Sequence, residues 1–154
     1  VLMKNKIINI GLVLMLLFVS ATSLSAHCQI PCGIYDDEHR FVELYEHITT
    51  LEKAITQLTT NKALSDNQRI RWTLNKEQHA DVFTSILHDY FLTQRIKPVV
   101  KKLSKKQKQR YQDMLIGVHE LTVLSMKTKQ QVTLSTTDQL RQTLKQFQLI
   151  YQER

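Results

Sequence analysis

From Phe41 to the end of the chain the apolar residues recur every three or four positions, and no stretch alternates apolar with polar as a half-buried strand does. That spacing puts the apolar side chains on one stripe of a helix. The first stripe is Phe41, Leu44, Tyr45, Ile48, Leu51, Ile55 and Leu58, with Asp36 and Asp37 placed to cap its start and Asn61 near its end. A second helix is expected to begin near Ser65 or Asp66, with a stripe of Ile70, Leu74, Val82, Phe83, Ile86, Leu87 and Tyr90. It ends before Pro98, because the residue ahead of a proline resists the helical region. A third starts near Ser104 and carries Tyr111, Met114, Leu115, Val118, Leu121 and Met126, the methionines reading as core filler. The polar, β-branched stretch 131–136 breaks it. The last helix is expected from Thr136 or Thr137, with Asp138 in its first turn and Leu140, Leu144, Phe147 and Ile150 on its apolar face. No such helix buries its stripe alone, whereas four packed together do, so the fold class is all-α: a four-helix bundle over about 36–154. His39, His47, His88 and His119 are scattered over these helices without ligand spacing and read as structural or surface residues.

Ahead of the bundle lies a different kind of segment. Met3 reads as a start, Lys4 and Lys6 as a positive n-region, Ile7 to Phe18 as an apolar run, and Ala21 to Ala26 as a small-residue stretch interrupted by Leu24. This is the layout of a secretory signal peptide, and the apolar run falls short of the ~20 residues of a spanning helix. Residues 1–26 are therefore expected to be removed by signal peptidase after Ala26, sending the product to the periplasm or outside the cell with no membrane anchor. His27, not Cys28, becomes the first residue, which argues against lipid attachment at the cysteine. Removal costs only Lys4 and Lys6 among the charged residues, lowering the formal charge from +7 to +5. A basic balance suits nucleic acid, an acidic surface or a small anionic substrate, and export makes nucleic acid the weakest of these. The run from Lys101 to Arg110 reads as a solvated loop and helix start.

The segment His27-Cys28-Gln29-Ile30-Pro31-Cys32-Gly33-Ile34-Tyr35-Asp36 holds the only two cysteines of the chain. Two cysteines in an exported protein ordinarily form a disulfide. Here the bridge would close a small ring at a free end, where it stabilises little. A metal uses more of the residues. Thiolates are soft donors and imidazole is borderline. Cys28, Cys32 and His27 are one side chain short of a tetrahedral structural zinc site. Cleavage before His27 would add a free α-amine, part of which is unprotonated near neutral pH. The Cys28 amide nitrogen lies between that amine and the Cys28 thiolate, so five-membered chelate rings can form on either side of it. Nickel(II) and copper(II) favour such planar nitrogen and sulfur coordination. Pro31 fixes a backbone angle and Gly33 permits a tight return, which together can bring Cys32 back to the same ion.

This hook, H-C-x-x-P-C-G-x-Y-D, resembles that of the nickel-containing superoxide dismutase family on His27, Cys28, Pro31, Cys32, Gly33, Tyr35 and Asp36. The likeness continues in Arg71-Trp72, in Lys76-Glu77-Gln78-His79-Ala80, in Tyr90-Phe91-Leu92-Thr93-Gln94-Arg95 and in Met126-Lys127-Thr128-Lys129-Gln130. It implies a nickel ion held by the His27 amine, the Cys28 amide nitrogen and the Cys28 and Cys32 thiolates, with the His27 imidazole as axial ligand in the oxidised state. It implies disproportionation of superoxide to oxygen and hydrogen peroxide by Ni(II)/Ni(III) cycling. Tyr35 would overhang the open face, Glu43 would orient the axial imidazole, and Tyr90 and His79 would stand behind them. The subunits would assemble as a homohexamer. One branch of the family has aspartate where this chain has Gln29 and arginine where it has His79, and another branch carries the same Gln and His. An exported nickel- or copper-binding helical protein without turnover is the alternative, and a disulfide-linked helical interaction domain is a second.

Overall fold

The computed structural model describes residues 33–99 and 102–153. The leader 1–26 and the ligand candidates His27, Cys28 and Cys32 lie outside the described residues. The chain divides after Cys32, and the unit Gly33–Arg154 is the bundle. Among the described residues the elements are α1 (Asp37–Thr60), α2 (Asp66–Ser85), which runs straight on into a π-helix (Ile86–Arg95), α3 (Lys105–Gln130) and α4 (Leu134–Gln152).

Local chemistry explains the boundaries. Asp36 caps α1, its Oδ1 accepting from the His39 amide at 3.0 Å. Ser65 and Ser104 head capping boxes with Gln68 and Gln107, each serine hydroxyl accepting an orphan amide while the glutamine accepts the serine's own N–H. The last helix starts earlier than the sequence suggests. The break after α3 is only 131–133, and Leu134 begins α4 with Thr133 as its cap residue. Thr136 and Thr137 are buried inside the first turn, where the Thr137 hydroxyl donates to the Leu134 carbonyl at 2.8 Å. A threonine that bonds its own turn in this way need not end a helix.

Cross-helix contacts run antiparallel throughout. As α1 ascends, its partners on α4 descend, from Glu38–Gln152 through Tyr45–Gln148 to Glu52–Arg141. Lys76, Thr84 and His88 meet Thr128, Ser125 and Thr122 in the same sense. Each helix packs on its neighbours in sequence and α4 closes against α1, the arrangement short loops impose on a bundle. The core is aromatic at the end where α1 begins: Phe41, Phe91, Phe147 and Tyr151 stack with ring centroids 4.9–6.0 Å apart.

Four apolar positions expected inside are exposed: Ile70 (59%), Leu74 (61%), Val82 (39%) and Met126 (48%). The buried row of α2 is Lys76, Ala80 and Phe83, continuing through Leu87 and Tyr90, and that of α3 is Met114, Val118, Leu121, Ser125 and Thr128. Lys76, Ser125 and Thr128 hold inward positions at the far end of the bundle, and beside Val82 the inward places go to Ala80 and Phe83.

Gly117 lets α3 approach α4 closely, since a Cβ built there would stand 3.0 Å from Cδ2 of Phe147. Gly117→Leu is expected to cost about 1–3 kcal/mol despite leucine's better helix propensity, because the added carbons have nowhere to go. Urea unfolding that shows equal or greater stability would refute the close contact.

Candidate functional site

The site is built where the chain enters the bundle. Gly33 has φ of +80°, the left-handed region in which a side chain is strained, and Ile34 is 83% exposed. Tyr35 is the first residue after the cysteines that engages the bundle. Its ring meets Tyr90 edge-on with centroids 5.9 Å apart, and the Arg95 guanidinium lies 4.6 Å over it.

Below Tyr35, Asp37 collects four donors. Tyr90 Oη donates to its Oδ1 at 2.6 Å, Arg95 donates through Nε at 2.8 Å and Nη2 at 2.6 Å, and Tyr151 Oη donates at 3.0 Å. Burial alone would raise the Asp37 carboxyl, but the bonds from Arg95, Tyr90 and Tyr151 outweigh it and hold the group below the usual carboxylate range. The same cluster pushes Tyr90 upward by burial and by its bond to the Asp37 carboxylate, and raises Tyr151 to about 12, burial again leading. Both phenols therefore stay protonated donors at neutral pH.

The π-helix makes this convergence possible. Its i→i+5 bonding, seen in Ile96 N–H to the Phe91 carbonyl at 2.7 Å, stacks residues five apart on one face. Tyr90 and Arg95 are five apart and grip one carboxylate; in a regular α-helix they would diverge. Thr93 and Gln94 support the wide turn, their side chains donating to the carbonyls of His88 and Asp89 five residues back.

Glu43 lies two turns along α1. Arg40 Nη1 donates to its Oε2 at 2.5 Å, His39 Nε2 stands 3.6 Å from its other oxygen, and the Arg40 guanidinium also sits 5.3 Å over the Tyr90 ring. Arg40 thus links Glu43 to the Tyr35–Tyr90 pair. His79 hydrogen-bonds His47 at 2.8 Å between Nδ1 atoms. The structure therefore joins Tyr35 to Tyr90 directly and Tyr90 to Glu43 through Arg40, and gives His79 a histidine partner. Asp37 was read from the sequence only as a helix cap, and Arg40, Arg95 and Tyr151 were not singled out as site residues. Arg95 sits in the quoted run Tyr90–Arg95, but helical periodicity of 3.6 gives no reason to connect it with Tyr90.

Burial first, then the neighbouring His79, lowers the His47 pKa below the ordinary histidine value, against the opposing pull of Glu43 and Glu46. The unfolded chain then binds more protons than the folded one as pH drops through about 6.5, so stability present above that value is lost below it. The urea midpoint is expected to fall between about pH 7.5 and about pH 5.5, and to fall less in His47→Gln. An equal fall in both proteins would assign the acid sensitivity elsewhere.

Among the described residues no group of three or more His, Cys, Asp or Glu is placed to hold a metal ion, and no helix is long and apolar enough to cross a membrane. The donors that suit a redox metal are those of the hook, two thiolates and an imidazole in a chain with no other cysteine. That donor set fits nickel. A helical bundle preceded in sequence by soft metal donors defines a bundle-borne redox metalloprotein as the class.

The profile of the nickel-containing superoxide dismutase family matches residues 22–154, and the chain belongs to that family. It is a superoxide dismutase whose cofactor is nickel. Two solved structures share the fold. One, described as native nickel superoxide dismutase, aligns with TM-score 0.63 at 16% identity, covering 82% of this chain and 97% of its own. The other, described as nickel-containing superoxide dismutase with the ligation that follows partial X-ray-induced reduction, gives TM-score 0.62 at 20% identity with the same coverage. No curated protein matches the chain.

Proposed function

We propose that the enzyme works outside the cytoplasm, in the periplasm or beyond the cell, after cleavage behind Ala26, and that the exposed His27 completes its nickel site. The observation that supports the nickel site is the family match over residues 22–154, which takes in the whole hook, and the leader-like layout of residues 1–26 supports export. The His27 amine and imidazole, the Cys28 amide nitrogen and the thiolates of Cys28 and Cys32 would hold the ion. Bound nickel supplies one-electron chemistry between its divalent and trivalent states, matched to oxidising one superoxide and reducing another.

The chain's own residues do the rest. Tyr35, fastened between Tyr90 and Arg95, would restrict what reaches the hook, as the family resemblance implies. Two superoxide ions and two protons give one oxygen and one hydrogen peroxide, so small anions and protons must pass while larger reductants are kept out. Glu43, steadied by Arg40, would orient the His27 imidazole, the support metal-bound histidines generally need. His79, hydrogen-bonded to His47, would stand behind it. The positive charge of the chain raises the encounter rate with an anion in a salt-dependent way. The bundles assemble as a homo-oligomer, six by family resemblance, and a sedimentation mass equal to a single bundle would refute that.

Superoxide decay followed by pulse radiolysis on nickel-loaded protein beginning at His27 tests the whole reading. Catalytic decay is expected there and is expected to vanish in the nickel-free protein. A form retaining Ala26 is expected to be severely impaired, because its amine is moved out of chelating range. Full activity with Ala26 in place would sink the role given to the amine. Nickel bound stoichiometrically without turnover would favour a carrier.

A further inference from the structure

We propose that Arg95 is a positioning residue that clamps Tyr35 to the bundle and thereby slows the loss of nickel from the hook. The inference rests on the hook reading given above and adds a residue to it. The guanidinium of Arg95 has two jobs at once. Its edge grips Asp37 through Nε and Nη2 at 2.8 and 2.6 Å, and Tyr151 Oη stands 3.0 Å from Nε. A planar cation held along its edge is fixed in place, and its Cζ lies over the Tyr35 ring, 4.6 Å from the centroid. The other wall is Tyr90, edge-on at 5.9 Å and itself tied to Asp37. Asp37 opens α1, where the helix dipole favours a carboxylate, so the anchor is firm.

The position in the chain gives the clamp its consequence. Tyr35 follows Cys32 by three residues. Between them Gly33 and Ile34 are exposed, and a Cβ on Gly33 would meet nothing within 4 Å. Tyr35 is therefore where the segment leaving the hook is first fastened. Freeing Tyr35 removes that attachment three residues from a nickel ligand, which gives a bound ion an easier way out. Lysine at 95 would keep the charge but could not grip Asp37 with two parallel bonds while presenting a flat face to the ring.

The test is the rate at which nickel passes from the protein beginning at His27 to an excess of chelator, with urea unfolding measured in parallel. Arg95→Gln, Arg95→Lys and Tyr35→Ala are each expected to speed release roughly tenfold, the scale on which residues supporting a metal ligand act. Arg95→Gln combined with Tyr35→Ala is expected to release no faster than the faster single variant, because the two residues act through one contact. Arg141→Gln removes a comparable half-exposed ion pair, to Glu52, and is expected to leave release unchanged. Release at the wild-type rate in Arg95→Gln, effects that multiply in the double variant, or acceleration in Arg141→Gln equal to that in Arg95→Gln would overturn the clamp. Failure of the hook itself shows differently, as wild-type protein that takes up no nickel or Cys32→Ser that holds it equally well, and either result overturns the clamp with it.

Discussion

Replacing Cys32 by serine is expected to leave a folded bundle that no longer consumes superoxide faster than the nickel-free protein does. The fold is expected to survive because the hydrophobic core that runs from Phe41 to Phe147 is built by the helices of the bundle. The chemistry does not survive, because a serine hydroxyl stays protonated where a thiol gives a soft anionic donor. With Cys28 the only other cysteine in the chain, a single thiolate is left among nitrogen donors, a set that no longer suits a nickel ion that must change oxidation state. The loss spans several powers of ten, on the scale by which enzymes exceed the uncatalysed reaction. Cys28→Ser is expected to behave alike. Circular dichroism, nickel content and pulse radiolysis on the same sample separate folding from binding and binding from turnover. Full turnover with bound nickel in either variant would show the ligand assignment to be wrong.

The largest stability effect is expected at Lys76, which is 1% exposed. Its ammonium donates to the carbonyls of Thr128 and Lys129, each at 2.7 Å, and to Glu77 Oε1 at 2.9 Å. Those carbonyls belong to the last turn of α3, where no further helical amide exists to satisfy them and where the dipole favours a cation. Lys76 thus ties α2 to the C-terminal end of α3. Lys76→Met keeps most of the packing volume but leaves buried acceptors without a donor. Removing one partner of a buried charged network costs about 3–5 kcal/mol, whereas replacing all partners with apolar groups can be neutral. Urea unfolding with an unchanged denaturant slope is the measurement. A loss under about 1 kcal/mol would mean that water or relaxation satisfies the carbonyls without the lysine.

Lys76 also shows where reading the sequence fails. The spacing of the apolar residues draws the stripe of α2 through Ile70 and Leu74, which are exposed, and passes over Lys76, which is buried. The inward row holds Lys76 because the end of α3 needs a cation, and α3 is far away in the chain. Ser125 and Thr128 displaced Met126 in the same way, Ser125 donating to the Ala80 carbonyl at 2.9 Å. The early start of α4 was hidden because threonines that look like a break bond within their own turn.

Helix class, number and most caps were legible because they are local: a period in the apolar residues, an aspartate or serine at a helix start, a proline after the second helix. The hook was legible for the same reason, since its donors lie within six residues of one another and their spacing alone limits the metals they suit. The tertiary structure decided what depends on distant partners. It gave Asp37 its four donors, turned Ile86–Arg95 into a π-helix that aims Tyr90 and Arg95 at one carboxylate, put Arg40 between Tyr90 and Glu43, and paired His79 with His47. A sequence displays the chemistry of each side chain and its neighbours along the chain, but a hydrogen bond between residues 37 and 151 exists only once four helices have been packed.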